Sequence, residues 1–225
     1  MSLIQIAIQY ASYHHRNQKR KYTNLPYIMH TMSVAGLVST VTKDVEMICA
    51  SILHDVVEDC PPTILDIRRH FTDRIAKLVN EVTEVSRPED GNREKRKGMD
   101  REHFASASAE GQTIKVADLI DNTSTIMYLD KDFAKVYLRE KQLLLEVLTK
   151  ADKRLVEIAN NQVKEYYLNK NLETLNHRCQ CSCCQNIHAH YENAHTESAR
   201  KAQKDTSVVV IGDHWRKLLR IDTKE

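Results

Sequence analysis

His54-Asp55-Val56-Val57-Glu58-Asp59 ends a segment that starts at Asp44 and carries Val45, Ile48, Cys49, Ile52 and Leu53 at helical spacing. The apolar positions read as one buried helix face, with Asp44 as its N-cap. Four ionisable side chains then crowd the end of this core helix. On a continuous helix, residues four apart share a face, which places His54 over Glu58 and Asp55 over Asp59. A core helix does not bring carboxylates to its buried side without a partner, because an unpaired buried charge is costly. A divalent cation would be such a partner.

Further helices are predicted on both sides. Leu3, Ile6, Ala7, Tyr10 and Ala11 repeat as an amphipathic helix, and a basic stretch, Arg16 to Asn24, runs up to Pro26. A second helix is expected from about Met29 to Val41. Pro61-Pro62 ends the central segment, and Thr63 starts the next, with Ile64, Ile67 and Phe71 inward; another runs to about Val85. Arg87 to Glu110 is polar, contains Pro88, Gly91 and Gly98, and reads as a loop with short helical turns over the mouth of a site. Three longer helices follow, near Thr113–Leu129, Phe133–Leu148 and Arg154–Leu168. The fold class is therefore all-α, a multi-helix bundle over residues 1–172. Residues 173–225 form a small Cys/His-rich appendage, with a β-hairpin expected where Val208-Val209-Val210-Ile211 meets Gly212-Asp213.

Composition narrows the class of partner. The chain has 225 residues with a formal charge of +2, too little for a nucleic-acid binder. No apolar run approaches the ~20 residues of a membrane span, and Met1-Ser2-Leu3-Ile4-Gln5 lacks a basic n-region. Cys49 and Cys60 lie in the helical body and four more crowd between Cys179 and Cys184, which is no disulfide framework. A cytoplasmic protein is expected. Cys181-Ser182-Cys183-Cys184, flanked by Cys179, His177, His188 and His190, offers ligands for a structural zinc ion.

Two more residues share the chemistry of the central motif. His30 opens the second helix, and Asp118 sits on the inward face of a later one, in Ile114-Lys115-Val116-Ala117-Asp118-Leu119-Ile120-Asp121-Asn122. Two imidazoles and two carboxylates from three helices leave coordination positions open. Such an N/O set suits manganese, iron or zinc better than copper(I) or calcium.

The order Arg20-Lys21, Pro26-Tyr27-Ile28-x-His30, His54-Asp55-x-Val57-Glu58-Asp59 and Lys115-Val116-Ala117-Asp118-x-x-x-Asn122 resembles the hydrolase domain of the RelA/SpoT homologues. Tyr137-Leu138-Arg139-Glu140-Lys141 to Val147-Leu148-Thr149 is similar too. The likeness covers roughly residues 1–170 and points to the stand-alone small alarmone hydrolases, within the wider HD superfamily of metal-dependent phosphohydrolases. It implies a manganese ion on His30, His54, Asp55 and Asp118, and removal of pyrophosphate from the ribose 3′ position of guanosine tetra- or pentaphosphate. It further implies Glu58 and Asp59 as the catalytic acids, and Arg20, Lys21, Asn122 and Thr125 as holding a phosphorylated nucleotide. Leu119 and Ser124 stand where that family usually has basic residues, which leaves room for an adenosine alarmone or the 2′-phosphate of NADPH. A nucleotide- or protein-binding neutralising module is the reading from another class, and the paired acids speak against it.

Overall fold

The computed structural model describes the backbone of residues 1–178 and the side chains up to Lys170. The cysteine-rich cluster from Cys179 onward and the expected hairpin at Val208–Ile211 lie outside the described residues, as does the side chain of His177. Residues Met1–Tyr167 form one compact unit. Among the described residues the chain is all-α, with a short 3-10 helix at Pro88–Asp90 and ten α-helices: α1 Leu3–His14, α2 Ile28–Ser39, α3 Val45–Leu53, α4 Val56–Asp59, α5 Ile64–His70, α6 Asp73–Val82, α7 Arg93–Ser106, α8 Ala109–Leu129, α9 Lys131–Val147 and α10 Lys153–Arg178.

Helix α3 is the spine. It packs against α1, α2 and α6, while α8 lies against α2, α6 and α9. Cys49, Ala50 and Ser51 are fully buried, and side chains this small let the neighbouring helices approach closely. Ile52 and Leu53 then fill the core beside Ile75, Leu78 and Ile114. The start of α3 is fixed by Asp44, whose carboxylate accepts from the amides of Glu46 (2.9 Å) and Met47 (3.2 Å). That carboxylate also takes Arg74 of α6 at 2.6 Å, so the cap ties two helices together. Thr63 and Asp66 form a reciprocal capping box on α5.

The segment expected as a loop is instead largely helix α7. Its sequence has little apolar periodicity, and tertiary contacts supply what periodicity does not. Asn92 caps it through the Lys95 amide at 2.9 Å, and Phe104 is its one large buried anchor. Asp100, four residues earlier on the same face, is buried and accepts from the amides of Val85 (3.1 Å) and Ser86 (2.9 Å) and from the Ser86 hydroxyl (2.9 Å). Glu, Lys and Arg are strong helix formers, so the exposed remainder of α7 needs no apolar stripe.

A second departure concerns the central motif. The helix does not run on through it: α3 ends at Leu53 and α4 begins at Val56, with His54 and Asp55 forming the joint. Two adjacent residues can therefore face the same centre, which a straight helix would turn about 100° apart. No helix among the described residues is long and apolar enough to cross a membrane.

Candidate metal centre and nucleotide cleft

Four of the sequence-predicted side chains converge where α2, the α3–α4 joint and α8 meet. His30, His54 and Asp55 offer ligand atoms that all lie within 4.8 Å of one another. Asp55 Oδ2 is 3.3 Å from His30 Nε2 and 3.1 Å from His54 Nε2. Asp118 Oδ1 is 3.3 Å from His30 Nε2 and 3.9 Å from His54 Nε2. All four residues are buried.

The tautomers follow from the second ring nitrogens. His54 Nδ1 lies 2.8 Å from the carbonyl of Ser51, an acceptor only, so Nδ1 carries the proton. His30 Nδ1 lies 2.6 Å from Asp121 Oδ2, to which it donates. A neutral imidazole protonated at Nδ1 presents a lone pair at Nε2, and both Nε2 atoms are buried without a hydrogen-bond partner. Two lone pairs aimed at two carboxylate oxygens repel unless a cation lies between them. The donor set therefore fits a divalent metal ion: two imidazole nitrogens and two carboxylates, each imidazole oriented from behind. Electrostatics agree. Burial pulls His30 down, but without a metal the carboxylates of Asp118, Asp121 and Asp55 outweigh it and raise the imidazole to about 11, a proton then taking the cation's place. A cation-deficient cluster of carboxylates has that effect. Burial likewise opposes ionisation of Asp118, but Lys115 and the two imidazoles hold its carboxyl well below the usual range.

Several residues of this centre were not singled out by sequence reasoning. Tyr27 donates its hydroxyl to Asp55 Oδ2 at 2.7 Å. Lys115 is buried, with Nζ 3.0 Å from Asp118 Oδ2 and 4.8 Å above the ring of Phe104. Asp121 stands behind His30. The available signals were short spacings: Lys115 and Asp121 lie three residues to either side of Asp118 on α8, on overlapping faces. Tyr27 likewise lies three residues before His30.

The two catalytic candidates diverge. Glu58 Oε2 accepts the Glu84 amide at 3.1 Å, whereas Asp59 Oδ2 accepts Gln18 Nε2 at 2.8 Å, across the motif. Solvent reaches Glu58, yet the protein crowding its carboxylate, with Asp55 and Glu84 as like charges, raises it to about 7 against the pull of Lys115.

The nucleotide candidates are also partly gathered. The bridge between Lys19 and Pro26 folds the basic stretch into a turn, with Asn24 at φ 57°, a conformation that asparagine tolerates better than most. From this turn Arg20 reaches α8, where Nη1 donates to Asn122 Oδ1 (2.8 Å) and Nη2 to Asp121 Oδ2 (2.9 Å) and Thr125 Oγ1 (3.3 Å). Lys21 stays outside that network, exposed and 3.9 Å from Asp130. Two cavities adjoin, both bordered by Asn122. One, of about 190 Å³, is lined by Arg20, Lys21, Tyr27 and Thr125. The other, of about 120 Å³, is lined by Arg93, Lys97, Lys115, Asp118, Leu119 and Tyr137. Leu119 thus presents an apolar wall, and the Ser124 hydroxyl turns back to the Asp121 carbonyl at 2.6 Å.

A helical bundle with buried His and Asp side chains converging at a helix joint, and a cleft beside them, defines a class. The sequence profile of the HD domain matches residues 7–142, and the chain belongs to the HD-domain family. It is similar to guanosine-3′,5′-bis(diphosphate) 3′-pyrophosphohydrolase MESH1 of Drosophila melanogaster, at 35% identity over 118 residues, covering 51% of this chain and 64% of that protein. A guanosine-3′,5′-bis(diphosphate) 3′-pyrophosphohydrolase of Aquifex aeolicus is 34% identical over 143 residues, 61% of this chain but only 20% of that protein. The chain thus spans less than two thirds of either relative. A solved structure, described as a metazoan ortholog of SpoT that hydrolyses ppGpp, superposes with a TM-score of 0.67 at 25% identity. It covers 73% of this chain and 96% of its own.

Proposed function

We propose that this protein is a metal-dependent phosphohydrolase that removes pyrophosphate from the ribose 3′ position of a guanosine alarmone, with manganese held by His30, His54, Asp55 and Asp118. The observation that carries the reading is the pair of buried, partnerless Nε2 atoms aimed at two carboxylates beside a cleft that Arg20 enters. The names and described activities of the similar proteins support it. Bound there, a divalent cation lowers the pKa of water towards ~7 and polarises a phosphoryl oxygen.

The chain's own residues do the rest. Arg20, Asn122 and Thr125 grip the nucleotide at α8, and Lys21 adds an exposed cation at the rim. Hydrolysis adds water to the 3′ phosphorus and breaks its bond to the ribose oxygen, which must take up a proton. Glu58, raised to about 7, retains a proton near neutral pH and is suited to give it. Asp59, tied to Gln18, is the second acid of the pair and holds the basic turn against α4. We place the protein in the cytoplasm, and treat residues 173–225 as an appendage separate from the chemistry.

A panel with added Mn2+ tests the assignment: guanosine and adenosine alarmones, NADPH and common nucleoside triphosphates, with pyrophosphate or phosphate release as readout. The expected result is preferential release of pyrophosphate from the guanosine alarmone. Preference for NADPH or an adenosine alarmone would move the substrate, as the apolar Leu119 wall and the neutral Ser124 permit. No turnover of any of them, with metal bound, would overturn the enzyme reading.

A further inference from the structure

Asp121 belongs to neither the ligand set nor the nucleotide residues, yet it touches both. A single oxygen, Oδ2, lies 2.6 Å from His30 Nδ1 and 2.9 Å from Arg20 Nη2. Only 13% of its side chain is exposed, against 12% for Arg20 and 0% for His30. Water therefore competes weakly for these contacts, and the two donors share one acceptor. We propose that Asp121 is a positioning residue that couples nucleotide capture to metal retention, by dividing one carboxylate oxygen between the metal-facing His30 and the nucleotide-facing Arg20.

The coupling acts through the basicity of His30 Nε2. A carboxylate accepting the Nδ1–H of a ligating imidazole raises the donor strength of the opposite nitrogen. While Arg20 draws on the same oxygen, part of that negative charge is neutralised and His30 is the poorer ligand. When a phosphorylated nucleotide draws the guanidinium away, Oδ2 is left to His30 and the metal is held more tightly, with Ser33 the other side-chain donor to the carboxylate. By linkage, bound metal favours nucleotide capture by the same factor. The inference rests on the metal site proposed above. It goes beyond it by giving this chain's Asp121 a role toward both ligands.

The test is a double-mutant cycle read as Mn2+ affinity, from the free-Mn2+ signal in electron paramagnetic resonance titrations of the full chain. Asp121→Asn keeps the shape and should weaken Mn2+ binding on the order of 10–100-fold. Arg20→Gln should tighten it roughly 5-fold or more, the lower end of ordinary coupling energies, and should lose that effect in the Asp121→Asn background. Lys21→Gln removes a charge from the same cleft without touching Asp121, and serves as the control for bulk electrostatics. Its effect should be smaller than that of Arg20→Gln. Equal effects of Arg20→Gln in both backgrounds, or Asp121→Asn affinity within about 2-fold of the parent, would overturn the coupling. If Asp121→Asn does not fold, Arg20→Gln against Lys21→Gln decides the matter, and equal effects overturn it. A parent chain that binds no Mn2+ would sink the metal site as well; where the parent binds Mn2+ and loses it on Asp55→Ala, the site stands, and a failed cycle then condemns the coupling alone.

Discussion

Lys115→Met probes the charge balance of the centre most directly. Lys115 and Asp118 are both buried, and Nζ sits 3.0 Å from Oδ2. At an effective dielectric constant of about 20, unit charges at that separation attract by about 5.5 kcal/mol. Deleting the ammonium also removes its own burial cost, so the net loss should fall in the about 3–5 kcal/mol seen when one partner of a buried pair is removed. Methionine fills similar volume and keeps a contact with the Phe104 ring. With a denaturant slope of about 2 kcal/mol per molar urea, the unfolding midpoint should drop by about 2 M in EDTA. Mn2+ should then narrow the gap, because the variant has lost a positive charge beside the ion and binds it more tightly. The assay is urea unfolding by circular dichroism, parent and variant, with EDTA and with saturating Mn2+. A deficit under about 1 kcal/mol in EDTA, or one that Mn2+ leaves unchanged, would refute the reasoning.

Other expectations follow from the same geometry. Asp55→Ala should abolish Mn2+ uptake and turnover while leaving the helical spectrum intact; full manganese stoichiometry by elemental analysis would rule the site out. Glu58→Gln should lower kcat on the order of 10²–10⁴-fold with metal still bound, and in the parent kcat/KM should fall as pH rises through about 7. Because the folded-state value of Glu58 exceeds its ordinary 4.5, the folded chain takes up a proton between pH 4.5 and about 7 that the unfolded chain does not. Stability should decline as pH rises across that window, and Glu58→Gln should flatten the slope in unfolding measured at several pH values. Phe104→Ala should cost about 3–5 kcal/mol and release α7, seen as faster amide exchange across residues 93–106. A chain ending near Leu172 should still bind Mn2+ and hydrolyse its substrate; a folded but inactive, metal-free product would place the tail in the active site.

What the sequence determined by itself is local or periodic. The caps at Asp44 and Thr63, the apolar faces of α1, α3 and α8, and the ordered His and Asp residues are all written within a few turns of helix, where spacing maps directly onto a face. The four metal candidates were legible because buried carboxylates on apolar helices demand a partner. Helix α7 was not legible, since one phenylalanine and one buried aspartate hold it and neither makes a period. The joint at His54–Asp55 was hidden because Ile52, Leu53, Val56 and Val57 keep helical spacing across it, and packing places the break. Only the tertiary structure could set Glu58 and Asp59 apart, one toward Glu84 and the other toward Gln18. It alone also brought Asp121 to His30, 91 residues away, and to Arg20, 101 residues away. Contacts at that separation leave no trace in local pattern, because they depend on how α2, α8 and the basic turn dock, a geometry decided by the summed burial of the core.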